Sequence, residues 1–277
     1  MSALRNPGHL AKRVTQTPVL FRNFPTVFRD LGLAGTRWAS AEMTFRMRNG
    51  YVVTCPNSDG ARFPLYEIFG DDAYVLDELL AGVSADATVL DVGGQIGSFS
   101  LAVAEAGPGL HVEIYEASPT SADYIARNIT TNGLDSRLRV HRAAMAGEEG
   151  EFTFFDSGTA SGHNGLTAPE WMRDEWKQGQ AAGEVTVPAR PFDAAVAAAP
   201  SAVEVVKMDI EGAEYDVILK SSPSSWTTVK KVVMEYHPVA GHSLDELLAF
   251  LGDVGLTPHR HEPGTEAGLG VIWLSRQ

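Results

Sequence analysis

Apolar and polar positions along the chain follow three successive rhythms. Residues 1–45 read as short helical pieces, interrupted at Pro7, Pro18 and Pro25 and followed by Gly32 and Gly35. Residues 43–55 alternate apolar and polar around Asn49-Gly50. That predicts a hairpin closed by a type I′ turn, which needs positive φ at both central residues. A helix is expected from Ala73 to Ala81. From Thr88 onward, short apolar runs alternate with helix-period segments. The predicted strands are Thr88–Val92, His111–Tyr115, Arg139–Ala143, Val203–Asp209 and Lys230–Glu235. Between them come helices over Ile96–Ala106, from Ser118-Pro119 to near Asn132-Gly133, and over Glu214–Ser221. Ser243 and Glu246 have capping-box spacing at the head of a helix that runs to Gly252. Two last runs, Leu256–His261 and Leu269–Leu274, flank Pro263-Gly264 as a closing antiparallel hairpin. Residues 156–183 are polar, glycine-rich and irregular, with Trp171 and Trp176 inside them.

This alternation predicts the α/β class: a doubly wound, mainly parallel sheet wrapped by helices, with ligands at the carboxyl ends of the strands. The expected division is an N-terminal helical and hairpin extension over 1–65 and a main domain over 66–277. A chain of 277 residues with 44% hydrophobic and 21% charged positions supports a packed core of that size. Its 22 basic and 35 acidic residues leave a net charge of -13, which disfavours a nucleic-acid partner. Arg5, Lys12, Arg13, Arg22 and Arg29 read as the solvated side of helices that pack on the core. Cys55 is the one cysteine, so an intrachain disulfide and a multi-cysteine zinc site are both excluded. With no run of about 18 apolar residues and no secretory pattern, a cytoplasmic protein without a membrane partner is expected. The N-terminal segment could pack on the core or form a homodimer face.

Four features carry chemistry. The first is Asp91-Val-Gly93-Gly94-Gln95-Ile-Gly97, where the first main strand meets its helix. Glycines there let backbone pass close to a ligand. Asp91 stands where a dinucleotide fingerprint has its first glycine. A carboxylate would repel pyrophosphate but suits the cationic amino group of a methionine moiety. The second is Glu116, ending the next strand, where an acid can accept both hydrogen bonds of a ribose diol. The third is the run from Val206 to Glu214, in which Lys207, Asp209 and Glu211 share one side if extended. Three charges at the end of an apolar strand need partners or a site. The fourth is Glu235-Tyr236-His237, which can converge with Asp209 and Glu211 on one rim. No ligand spacing in the sequence supports a metal there.

The strings VLDVGGQIGSFSL, IYEASP, VVKMDIEGAE and VVMEYHP stand in the order and spacing of FkbM-type methyltransferases, and the resemblance covers about residues 65–237. It implies the class I methyltransferase fold, with strand order 3-2-1-4-5-7-6 and the seventh strand antiparallel. S-adenosylmethionine (SAM) is the implied cofactor, its methionine part at the Asp91–Gly97 turn and its ribose at Glu116. Ala117, Ala144 and Asp209 complete the implied cofactor contacts beside Gly93, Gly94, Gln95 and Gly97. In the family this turn usually reads DVGANIG, and here Gly94 and Gln95 replace the alanine and the asparagine.

The resemblance implies methyl transfer to a small molecule, with natural-product or sugar tailoring as the family analogy. For a hydroxyl acceptor the base is expected to be His237 or Asp209, held by Glu235 or Glu211, with His163 as the alternative. His163, Asn164 and Trp171 are the expected acceptor contacts, in a loop read as a lid. Three rivals remain: an NAD-dependent oxidoreductase on the same type of sheet, methylation of a nitrogen or of a macromolecule such as a nucleic acid, and a non-catalytic binder that retains the fold.

Overall fold

The computed structural model describes residues 7–156, 183–265 and 267–276. Helix α1 (Pro7–Leu20) opens on a proline and carries Pro18 within its last turn, where the sequence predicted a break. The carbonyl of Pro18 accepts two hydrogen bonds from Arg48, at 2.9 and 2.8 Å. Helix α2 (Phe24–Leu33) has Pro25 in its first turn, where the missing N–H has no partner to lose. Strands β1 (Glu42–Arg46) and β2 (Val52–Pro56) form the expected hairpin. Its turn differs from the predicted type I′. Gly50 is at φ 105, Asn49 is not in the positive-φ region, and Met47 N–H bonds Tyr51 O at 2.8 Å. This is the three-residue loop with a bulged glycine.

Helix α3 (Asp59–Asp71) was not predicted, because Gly60, Pro64 and Gly70 mask its period. Ser58 caps it by accepting from Ala61 N–H at 3.3 Å. Where a helix was expected over 73–81 only the short α4 (Leu76–Leu79) forms, after Val75 at φ 51.

The main sheet follows the predicted rhythm. Strand β3 (Thr88–Val92) leads into α5 (Ser98–Ala106), and β4 (His111–Glu116) into α6 (Pro119–Thr131). Ser118 caps α6, accepting from Ser121 N–H at 3.1 Å. After β5 (Leu138–Arg142) the chain leaves for a small sheet that the sequence did not announce: β6 (Ala144–Met145), β7 (Gly150–Asp156) and β8 (Gly183–Arg190). Helix α7 (Phe192–Ala198) returns it to β9 (Val203–Met208), α8 (Glu214–Lys220), β10 (Lys231–Tyr236) and α9 (Leu244–Asp253). The predicted capping box at α9 does not form. Ser243 makes no side-chain cap, and Glu246 pairs with His242 at 2.9 Å. Strands β11 (Leu256–Pro263) and β12 (Gly270–Arg276) close the chain as an antiparallel hairpin.

The seven strands lie in the order β11-β12-β10-β9-β3-β4-β5. The pairs from β10 across to β5 are parallel, and β12 runs antiparallel to β10. Counted within the sheet this is 3-2-1-4-5-7-6. Central β3 and β9 are buried along their whole length, as parallel strands covered on both faces should be. One apolar cluster joins Phe21, Phe45, Val53 and Leu65 of the N-terminal segment to Val89, Ile114 and Trp273 of the sheet. The other face packs Leu90, Val206, Trp226 and Leu247. Strand order reverses between β3 and β4 on one side and β9 and β10 on the other, which places a crevice above their carboxyl ends.

Candidate active site

Beyond β3 the chain turns through Gly93 at φ 87, Gln95 at φ 53 and Gly97 at φ 86. A side chain at Gly93 is excluded, since its Cβ would lie 1.8 Å from the carbonyl oxygen of Asp209. The ends of β3 and β9 therefore touch through backbone. Asp91 is fully buried, and the Ser100 hydroxyl donates to its Oδ2 at 2.6 Å. Lys207, the register partner of Asp91 on β9, lies 3.4 Å from Oδ1 and donates to the carbonyl of Gly93 at 2.5 Å. Burial works to lower the Lys207 pKa, but Asp91 and Asp209 outweigh it and hold it above its usual value. The oxygens of Asp91 face Ser100 and Lys207, which ties Asp91 to the turn through the lysine.

Glu116 ends β4, nearly buried. Its Oε2 accepts Gln95 N–H at 2.7 Å and its Oε1 accepts Ser118 N–H at 2.8 Å. Burial pushes its carboxyl up to about 7, against the pull of those two amides. Each oxygen keeps a further lone pair for a ribose hydroxyl. The side-chain amide of Gln95 is directed away, donating to Gly60 O at 2.7 Å, and so ties the turn to the head of α3. Of the remaining expected contacts, Ala117 is half-buried beside Glu116. Ala144 packs into the small cluster with Phe154 and Val187. An acid-rimmed turn of glycines at the switch point fits the ammonium and the ribose of SAM. It does not fit a pyrophosphate.

Past β9 the backbone makes a tight corner, with Glu211 at φ 54 and Gly212 at φ 103. The corner is held by Glu214, fully buried, whose Oε1 accepts from Ile210 N–H at 3.1 Å and Gly212 N–H at 3.3 Å. The same oxygen bonds His237 Nδ1 at 3.0 Å, while His237 Nε2 lies 3.4 Å from Glu211 Oε2. Glu214 thus bonds the histidine, and of the two acids expected to hold it Glu211 is the one that pairs with it. The signal for Glu214 was present as the last letter of the Lys-x-Asp-x-Glu-Gly-Ala-Glu run. Burial opposes charge on His237, yet Glu214, Glu211 and Asp209 raise its pKa to about 10. Burial first, then Asp209, raises both Glu211 and Glu235 above the usual carboxylate range.

Asp209, Glu211, Glu235 and His237 come together as expected, all half-buried at the crevice rim. Asp209, Glu211 and His237 each present one ligand atom within 4.8 Å of the others. Among the described residues the carboxylates of Asp209 and Glu235 take part in no hydrogen bond or ion pair. Two neighbours, one on α3 and one just after it, were missed. Burial pushes Glu67 up to about 7, with Arg13 opposing and Asp209 adding to it. Tyr74 is raised well above its usual range by burial and then by Asp209 and Glu235. His163, Asn164 and Trp171, with the loop read as a lid, lie outside the described residues.

Residues 91–260 match the family profile described as the methyltransferase FkbM domain. The 31-O-demethyl-FK506 methyltransferase FkbM of Streptomyces tacrolimicus is 28% identical over 237 residues, spanning 77% of this chain and 88% of that protein. Methyltransferase sdnD of Sordaria araneosa is 23% identical over 197 residues, or 63% of this chain and 74% of its own. Among solved structures, M. jannaschii TYW2 in complex with AdoMet aligns with a TM-score of 0.42 at 14% identity, covering 86% of this chain and 88% of that one.

Proposed function

The chain belongs to the FkbM methyltransferase family, and from that premise we propose that it methylates a hydroxyl oxygen of a small-molecule acceptor. SAM is the methyl donor, and its sulfonium supplies a methyl group already activated for transfer. The nicotinamide reading is thereby set aside. The chain's own work is to hold the donor, align the acceptor and receive a proton. Alignment alone can be worth several kcal/mol, and a positioned base adds about 10²–10⁴-fold.

One observation carries this reading: two carboxylates, Asp209 and Glu235, stand at the rim with no partner among the described residues, while both nitrogens of His237 are engaged. The imidazole therefore serves to position Glu211, and the proton of the acceptor hydroxyl passes to Glu235 or Asp209. The Streptomyces relative is named as methylating the 31-O-demethyl form of FK506, which supports an oxygen acceptor of natural-product type. Lys207 and Asp91 set the glycine turn, and Glu116 offers its free lone pairs to the ribose.

Two measurements test the reading. S-adenosylhomocysteine at a hundred times its dissociation constant should stabilise the fold by about 2.7 kcal/mol, a shift of several degrees, and NADH should give none. Isotope-labelled SAM offered with hydroxylated small molecules and matched amines should yield a product whose methyl carbon resonates in the methoxy region. Transfer to the amines alone would replace the hydroxyl reading with a nitrogen one.

A further inference from the structure

We propose that Asp209, Glu211 and His237 bind a hard divalent cation of the Mg²⁺ or Mn²⁺ class at the crevice rim. The three side chains come from the ends of β9 and β10, and their ligand atoms already lie within 4.8 Å of one another. An ion with bonds of roughly 2.0–2.2 Å needs its ligand atoms about 3–4 Å apart, so a small closing movement of half-buried side chains suffices. Two carboxylates and one imidazole, completed by water, are a donor set for a hard octahedral ion. The sole cysteine, Cys55, is buried in the N-terminal hairpin and offers nothing softer to this rim.

The imidazole is prepared as metal-ligating histidines are. Its Nδ1 is satisfied by Glu214 at 3.0 Å, which leaves Nε2 directed at Glu211 and the rim. Glu214 is fully buried, and its second oxygen has no hydrogen-bond partner. The oxygen left without a partner belongs to the same carboxylate that bonds the histidine of the cluster through Oε1. Lys207, a buried cation at the end of β9, is committed to Asp91 and the Gly93 carbonyl. Glu211 holds its position from a left-handed backbone at φ 54, a conformation that persists only where the surroundings enforce it.

Resting on the hydroxyl-acceptor reading, such an ion has a stated role. With Asp209, Glu211 and His237 as ligands, an open coordination position takes the acceptor oxygen and makes its proton easier to remove. The O–H bond breaks toward Glu235, the new O–CH₃ bond forms, and the S–CH₃ bond of the donor breaks.

The test is a titration of the full chain, stripped with EDTA, by MnCl₂ in ordinary salt. The signal of free Mn²⁺ in electron paramagnetic resonance is followed without any turnover. One equivalent should bind. Glu211→Gln and His237→Ala should abolish that site, and Glu214→Gln should weaken it about 10–100-fold. Near-ultraviolet dichroism and the S-adenosylhomocysteine shift show which variants are folded, and any one folded variant decides. No binding by the parent chain overturns the proposal. So does binding that survives unchanged in folded Glu211→Gln or His237→Ala, since it would then be an ion on the acidic surface. Mn²⁺ binding with methylation confined to amines would leave the metal site standing and overturn the hydroxyl reading alone.

Discussion

Gly93 shows how narrow the tolerance is at single positions. Its φ of 87 and the 1.8 Å approach of a hypothetical Cβ to the Asp209 carbonyl both exclude a side chain. Gly93→Ala adds about 1–2 kcal/mol of backbone cost and forces β3 and β9 apart where Lys207 bridges them. The expected result is a melting point several degrees lower and loss of the S-adenosylhomocysteine shift; a retained shift would mean the turn does not hold the donor. Glu67 gives a prediction of the opposite sign. Its carboxyl is raised from 4.5 to about 7, chiefly by burial. The folded chain thus binds its proton more tightly than the unfolded chain, and this residue's contribution falls as pH rises between those two values. Glu67→Gln removes that loss. Melting curves at about pH 5 and about pH 8 should show the variant gaining on its parent by a few degrees at the higher pH. An equal difference at both would place Glu67 in a more solvated setting.

Elements show what can be read locally and what cannot. The sheet strands were legible because each is a short apolar run bounded by turn residues, and α6 because Ser118-Pro119 and Asn132-Gly133 mark both its ends. The rim was legible too, since Asp209, Glu211, Glu235 and His237 sit at or just past the ends of two neighbouring strands. Helix α3 was hidden by Gly60, Pro64 and Gly70, whose cost is met by tertiary packing of Ala61, Leu65 and Ile68. The small sheet escaped because β7 and β8 pair across a long sequence separation, which no local period reports. The contacts of Glu214 escaped for a related reason: a motif gives positions, while the partner a side chain finds depends on strand register and the turns that follow. Asn128 shows such a long-range link between elements. It is buried on α6, accepts from Thr54 N–H at 2.8 Å, and donates to Thr54 O at 3.1 Å and Ile96 O at 3.0 Å. It thereby fastens the N-terminal hairpin to the turn after β3. Asn128→Ala strands three buried backbone groups and should cost about 3 kcal/mol, or on the order of 10 °C in melting temperature. A loss of only a degree or two would show that water replaces the amide.

At the scale of the whole molecule, the N-terminal segment and the sheet share one apolar cluster, so each covers surface the other needs. Phe21, Met43, Phe45, Val53 and Leu65 pack with Val89, Ile96, Ile114 and Trp273. The indole of Trp273 donates to the Tyr74 carbonyl at 3.0 Å, joining the last strand to the approach of β3. Just past the segment, Glu67 and Tyr74 lie within electrostatic reach of Asp209. Removing residues 1–58 should leave the β3, β4 and α6 surface bare and yield a chain that binds a hydrophobic dye, loses its near-ultraviolet dichroism and shows no S-adenosylhomocysteine shift. If the shortened chain instead melted cooperatively within a few degrees of its parent and still bound the ligand, the segment would be an independent appendage.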